Sequence, residues 1–194
     1  MRFTRMRRRT ANVTMAALVA VPLALAGTAS QAHAQDASPG PSGTFGPGCA
    51  ALSQKTGTVR DRVVEAAAAY PQLSHLVSAA VRAHLNGTLD GKPGITVFAP
   101  DDQAFQTMTV SQLASLLADQ GKLKKVLTYH VVDRQITPAE LSHGSFTTVE
   151  GGKLTTSGSG TEFKVNGKAN IVCGNIKAAN ATIYVIDAVL QPPS

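Results

Sequence analysis

At Ser145 the spacing of the apolar residues changes. Before it they recur every three or four positions; after it they fall in short alternating runs broken by "EGG", "SGSG", "NG", "CGN" and "AAN". One type of secondary structure cannot serve both halves. A buried helix face needs an apolar residue about every 3.6 positions, and a half-buried strand needs one every second position. Helices first and short strands afterwards describe an α+β domain whose strands are mainly antiparallel.

In the helical half, Val59 to Ala69 is one segment, broken at Tyr70-Pro71. Leu73, Leu76, Val77, Ala80 and Val81 form the stripe of the next. Asn86 to Gly94, "NGTLDGKPG", is turn chemistry that delivers the chain into a strand at Ile95 to Phe98. Thr109-Val-Ser-Gln112 and Thr137-Pro-Ala-Glu140 both have capping-box form, the second with proline at the first helical position. Leu113, Leu116 and Leu117 give an apolar face that Gly121 ends. Strands are expected around Phe146–Val149, Leu154–Thr156, Phe163–Val165, Ala169–Val172 and Thr182–Val189, with Asn166-Gly167 the strongest hairpin signal.

The first residues set the compartment. "MRFTRMRRRT" places five arginines before the apolar stretch Val13 to Ala26, and Ala32-His33-Ala34 supplies small residues at a cleavage position. This is the form of a secretory signal peptide over 1–34, with cleavage expected after Ala34 and no membrane span left behind. Residues 35–48, "QDASPGPSGTFGPG", read as a Pro/Gly/Ser-rich linker, and 49–194 as the folded domain. Removing the leader also removes five of the eighteen basic residues, leaving thirteen against twelve acidic ones, a net of +1. The basic isoelectric point therefore gives no reason to expect a nucleic-acid partner.

The chain contains two cysteines, Cys49 and Cys173. In an oxidising compartment a disulfide is the economical reading. A metal site or a nucleophile would need neighbours that "GPGCA" and "NIVCGN" do not offer.

The stretch "ITVFAPDDQAF" places two aspartates directly after a strand. Pro100 ends the strand, Asp101 is placed to cap the following helix, and Asp102 falls in that helix's positive first turn. Capping accounts for both carboxylates without catalysis. In "KLKKVLTYHVV", Leu123, Val126, Leu127 and His130 share one helical stripe, so His130 is expected to be buried and hydrogen-bonded, either to Asp101–Asp102 as its side-chain partner or to a backbone group. Tyr129 falls with Lys122 and Lys125 on a stripe expected nearer solvent. His75 and His84 should lie on opposite sides of one helix, and His143 should face water. No nucleophile elbow, zinc-protease helix, CxxC, P-loop or dinucleotide fingerprint follows the leader, so neither an enzyme nor a cofactor is expected.

These stretches together resemble the fasciclin (FAS1) family. "TVFAPDDQAF" resembles its first signature block, "VLTYHVV" its Tyr-His motif (Tyr129-His130), and "NATIYVIDAVLQPP" its closing block, with Asn180 before the last strand and Asp187 within it. A closer similarity is to small secreted mycobacterial antigens that carry a lone fasciclin domain, which also have cysteines in stretches like "GPGCA" and "IVCG". That likeness supports a Cys49–Cys173 pairing. It implies a wedge of two small β-sheets with helices clustered along one edge. It further implies a secreted, monomeric, non-enzymatic adhesion module binding protein partners at a cell surface, matrix or envelope. The Tyr-His region would nominate Tyr129 and His130 as contacts, of which helical phase leaves Tyr129 the one open to a partner. The alternative is a carrier of a small apolar ligand or lipid in a groove between helices and sheet. The sequons at Asn86 and Asn180 are read as chance matches.

Overall fold

A computed structural model describes residues 43–52 and 60–193. The proposed leader and residues 35–42 lie outside the described residues. The helical half supplies α1 (Cys49–Leu52), α2 (Val63–Ala68), α3 (Ser74–Arg82) and α4 (Asn86–Gly91) ahead of strand β1 (Ile95–Pro100). After β1 come α5 (Asp102–Gln106), α6 (Val110–Ala118) and α7 (Gln120–Tyr129), then β2 (Val131–Val132). A 3-10 turn at Pro138–His143 leads into β3 (Ser145–Thr147), β4 (Lys153–Ser159), β5 (Glu162–Val165), β6 (Ala169–Lys177) and β7 (Ala181–Ile186).

The strands form one mixed sheet of seven in the order β2-β1-β7-β6-β5-β4-β3, not two small sheets. All neighbours are antiparallel except β1 and β7, which run parallel from Ile95↔Ala181 to Pro100↔Ile186. The two ends of the sheet nearly meet. Val132 bridges Thr148 just beyond β3, and the Val149 N–H donates to the Val131 carbonyl at 2.7 Å. Near-closure leaves little free strand edge.

Both central strands are buried along their whole length, and each reads as an apolar run interrupted only by one threonine, Thr96 or Thr182. Ile95, Val97 and Ala99 of β1, with Ala181, Ile183 and Val185 of β7, face the helices. Phe98, Tyr184 and Ile186 face the sheet interior beside Phe146, Leu154, Phe163 and Val165. Each fully buried large side chain contributes about 1.5–3 kcal/mol. Two buried hydroxyls in the interior are paired: that of Thr96 donates to Arg134 O and accepts from Ile136 N, each at 2.8 Å, and that of Tyr184 donates to Ile136 O.

Three local expectations differ from the structure. Asn86 to Gly91 coils into a short helix instead of remaining a turn, its Leu89 buried against α2. Gly121 lies inside the first turn of α7, and it is Asp119 that separates α6 from α7. The Asp119 carboxylate accepts from the Gly121 and Lys122 N–H groups at 2.9 and 3.0 Å. Residues 43–48 are not linker. Phe45 and Gly174 exchange backbone hydrogen bonds at 3.2 and 2.8 Å, Gly48 N–H donates to Val172 O at 2.8 Å, and the Phe45 ring packs edge-on against Phe163. This strap covers the edge of β6 beyond the reach of β5, and Cys49 bonded to Cys173 fastens it there. Gly46 and Gly48 allow this close approach, since a Cβ on either would stand 2.5 or 3.0 Å from the Val172 carbonyl oxygen.

Candidate functional site

The last turn of α7 carries the Tyr-His pair into β2. The helical phase that turns Leu123, Val126 and Leu127 inward takes His130 with them, leaving it 1% exposed. Its Nδ1 lies 2.8 Å from the Val126 carbonyl oxygen, and the Leu190 N–H donates to Nε2 at 3.0 Å. A carbonyl can only accept, so Nδ1 holds the proton and Nε2 the lone pair. The neutral ring thus satisfies both nitrogens and ties the end of α7 to the tail that follows β7. Burial pushes its pKa down to about 4, opposed in part by the Val126 carbonyl. Of the two kinds of partner expected, backbone groups take both positions, and neither Asp101 nor Asp102 bonds the ring.

Tyr129 corrects the sequence reading. It is 2% exposed, not near solvent. The chain after β3 folds over that side of α7, with Glu150 N–H donating to Thr128 O at 3.3 Å. The ring lies so close to Gly152 that a Cβ there would stand 2.9 Å from it, so glycine is required for the approach. The Tyr129 hydroxyl donates to Lys153 O at 2.8 Å and accepts from Asn166 Nδ2 at 2.9 Å. Asn166 has φ 51° and Gly167 φ 65°, the left-handed pair of a type I′ turn. Its Oδ1 also accepts from Thr155 N–H. The hairpin signal located Asn166, but nothing in the sequence joined it to Tyr129.

The two aspartates have separate tasks. Asp101 is the N-cap of α5, accepting from the Ala104 N–H at 2.7 Å. Burial raises its pKa, against the pull of the Ala104 and Gln103 N–H groups, and the Asp187 and Asp102 carboxylates add to the rise. Asp102 lies in the first turn of α5 but also reaches across to α3. It accepts from Ser74 Oγ at 2.7 Å and His75 N–H at 2.9 Å, and His75 Nδ1 stands 2.8 Å away. Burial would raise the Asp102 pKa, yet these partners together hold it below its ordinary value. Both roles are structural. Asp101→Ala should therefore cost about 1 kcal/mol and Asp101→Asn close to nothing, read from urea unfolding midpoints. Equal damage from the two replacements would contradict a capping role.

Asn180 does more than turn the chain. Its Nδ2 donates to Leu89 O and Lys92 O at 2.8 and 2.9 Å, and its Oδ1 accepts from Val63 N–H at 2.9 Å, clamping α2 and the end of α4 to the start of β7. Asp187 accepts from the backbone and side-chain N–H groups of Asn170, both at 2.7 Å, fixing β7 to β6. The three other histidines among the described residues are dispersed. His75 opens α3, His84 lies beyond its C-terminal end with φ 53°, and His143 is exposed. Among the described residues no group of three His, Cys, Asp or Glu is placed to hold a metal ion, and no helix is long and apolar enough to cross a membrane.

The motif residues thus form braces within a near-closed sheet and its helical cap. The sequence pattern of the fasciclin domain matches residues 71–192. The chain is a member of the fasciclin family. Relatives support this over most of its length. It is 36% identical to the immunogenic protein MPB70 of Mycobacterium bovis, across 91% of this chain and 97% of that one. Identity to the cell surface glycolipoprotein MPB83 of the same species is 39%, across 77% of this chain and 66% of that one. A Synechocystis protein, sll1483, is 37% identical across 74% and 81%. Among solved structures, the FAS1 domain pair of the insect cell adhesion molecule Fasciclin I matches with a TM-score of 0.53 and 17% identity, covering 63% of this chain and 46% of that one. The fasciclin domain of this chain therefore shares its fold with an adhesion protein and its sequence with mycobacterial antigens.

Proposed function

We propose that this fasciclin domain acts outside the cell as a non-enzymatic adhesion module that binds protein partners at a cell surface, matrix or envelope. The observation that carries the reading is the 36% identity over 91% of the chain to an antigen, alongside a relative named as a cell-surface protein. The closed core between helices and sheet counts against an apolar ligand enclosed there. The apolar space between α2, α3, β1 and α7 holds about 30 Å³. Ligand pockets span roughly 300–1,000 Å³, so this space has room for about one water. Binding of the purified protein to intact cells and to envelope preparations tests the reading. Saturable binding, abolished by protease treatment of the target surface, is the expected result. Absence of binding, or binding that survives that treatment, would contradict protein-directed adhesion.

A further inference from the structure

Helices α6 and α7 meet the tail after β7 around a groove of about 370 Å³. Its floor is apolar: half-buried Met108 and the outer edges of the core residues Leu116 and Val126, each 7% exposed. Its rim carries the Ser115 hydroxyl, the Gln191 amide and the ammonium groups of Lys122 and Lys125, and no carboxylate side chain lines it. Two other surface grooves differ in charge. The one beside α1 is lined by Asp101 and Asp102, and the one along the β4–β5 hairpin mixes Glu162, Lys164 and Asp187. Both lysine side chains on the rim are more than half exposed, and their nearest acids stand off, Asp119 at 3.9 Å and Glu150 at 3.5 Å. A tight charge-assisted bond is nearer 2.7–2.9 Å, at roughly that length for ammonium and carboxylate. Each ammonium group has three donors, so both can meet a further acceptor.

We infer that this groove binds an acidic peptide segment of a partner protein, one carrying an apolar side chain beside its carboxylates. The apolar side chain seats on Met108, Leu116 and Val126. The carboxylates meet Lys122 and Lys125. The hydroxyl and amide groups of the rim pair with the segment's backbone. An alkyl chain would cover those polar groups without pairing them, which costs free energy, so a peptide fits better than a fatty acid. The inference rests on the adhesion reading and names the chemistry of its partner.

The geometry also gives the buried histidine a place in this site. Val126 forms part of the floor, and its carbonyl accepts from His130. Leu190, whose N–H donates to the same ring, directly precedes Gln191 and Pro192 on the wall. His130 is a positioning residue that holds floor and wall in register.

The test is amide chemical-shift titration of the purified protein with three probes: a blocked peptide of leucine flanked by glutamates, the same peptide flanked by lysines, and dodecanoate. The acidic peptide should shift the amides of Met108, Ser115, Leu116, Val126 and Gln191. Its affinity should fall at least tenfold in a Lys122→Gln/Lys125→Gln variant, which retains the fold because both side chains are exposed. The basic peptide should leave the groove unshifted. Equal shifts from both peptides, undiminished binding by the variant, or groove shifts from dodecanoate alone would each overturn the inference. Adhesion of the same variant separates the two proposals. If wild type and variant adhere equally well, the groove is not the contact although the adhesion reading stands. If neither adheres while the acidic peptide still binds, the adhesion reading fails and the groove's preference for acidic peptides stands.

Discussion

Reduction of the Cys49–Cys173 bond should lower the stability of the protein by roughly 4 kcal/mol. The bonded cysteines are 124 positions apart, so the crosslink removes a large loop-closure entropy from the unfolded chain. Native contacts act in the same direction. Cys173 is 1% exposed in β6, and the bond holds the strap at 43–48 over the edge of that strand. Without it, the strap keeps its three backbone hydrogen bonds and the Phe45 ring contacts, but nothing covalent opposes fraying from the end. Urea unfolding with and without dithiothreitol measures the effect, and a Cys49→Ser/Cys173→Ser variant should match the reduced protein. No thiol should titrate in denaturant until reductant is added. Identical unfolding midpoints in both conditions would show that the bond contributes nothing.

Acid should destabilise the protein through His130 well before most carboxylates titrate. The ring's pKa is about 4 in the folded protein against an ordinary value of 6.5. Because the folded value is depressed, the unfolded chain binds the proton more readily. The stabilisation from the neutral ring is complete above pH 6.5 and is lost as pH falls toward 4, a change on the order of 3 kcal/mol. Asp102, whose pKa is also depressed, loses its contribution at lower pH, in the carboxylate range. Asp101, whose pKa is raised, acts with the opposite sign there. His130→Gln removes the titration while keeping a polar side chain. Its stability should lie below wild type at pH 7, and the gap should narrow on acidification to pH 4. At pH 7, His130→Ala should cost on the order of 2 to 4 kcal/mol through lost packing and two lost hydrogen bonds. Parallel pH profiles for wild type and His130→Gln would contradict a buried neutral ring.

How far these sites could be read in advance depended on how local their physics is. The change of period at Ser145 is local, and it placed each strand from Phe146 onward. The capping boxes at Thr109 and Thr137 are contained within four residues, and both form, although the second opens a 3-10 turn rather than an α-helix. His130 was legible because its burial follows from the phase of its own helix. Tyr129 was not, because the residues that cover it, Glu150 to Lys153 and Asn166, arrive from a later hairpin. The same limit hid the second role of Asp102, which caps a helix 27 positions earlier, and the clamp formed by Asn180 across 117 positions to Val63. The strap was misread for a different reason. Glycine and proline suit a tether and a flat covering strand equally well, and only the partner strand tells them apart.

The central claim is that the Tyr129–His130 motif braces the domain from within while adhesion takes place on another surface. Adhesion of the Tyr129→Phe protein tests it most directly, measured at a temperature where this variant and wild type are both fully folded. The substitution removes the hydroxyl that bonds Lys153 and Asn166 but leaves the buried ring in place. Half-saturation at the wild-type concentration, with a lowered unfolding midpoint, is the predicted result. A tenfold loss of adhesion by a protein that unfolds at the wild-type midpoint would contradict the claim and make Tyr129 a contact residue.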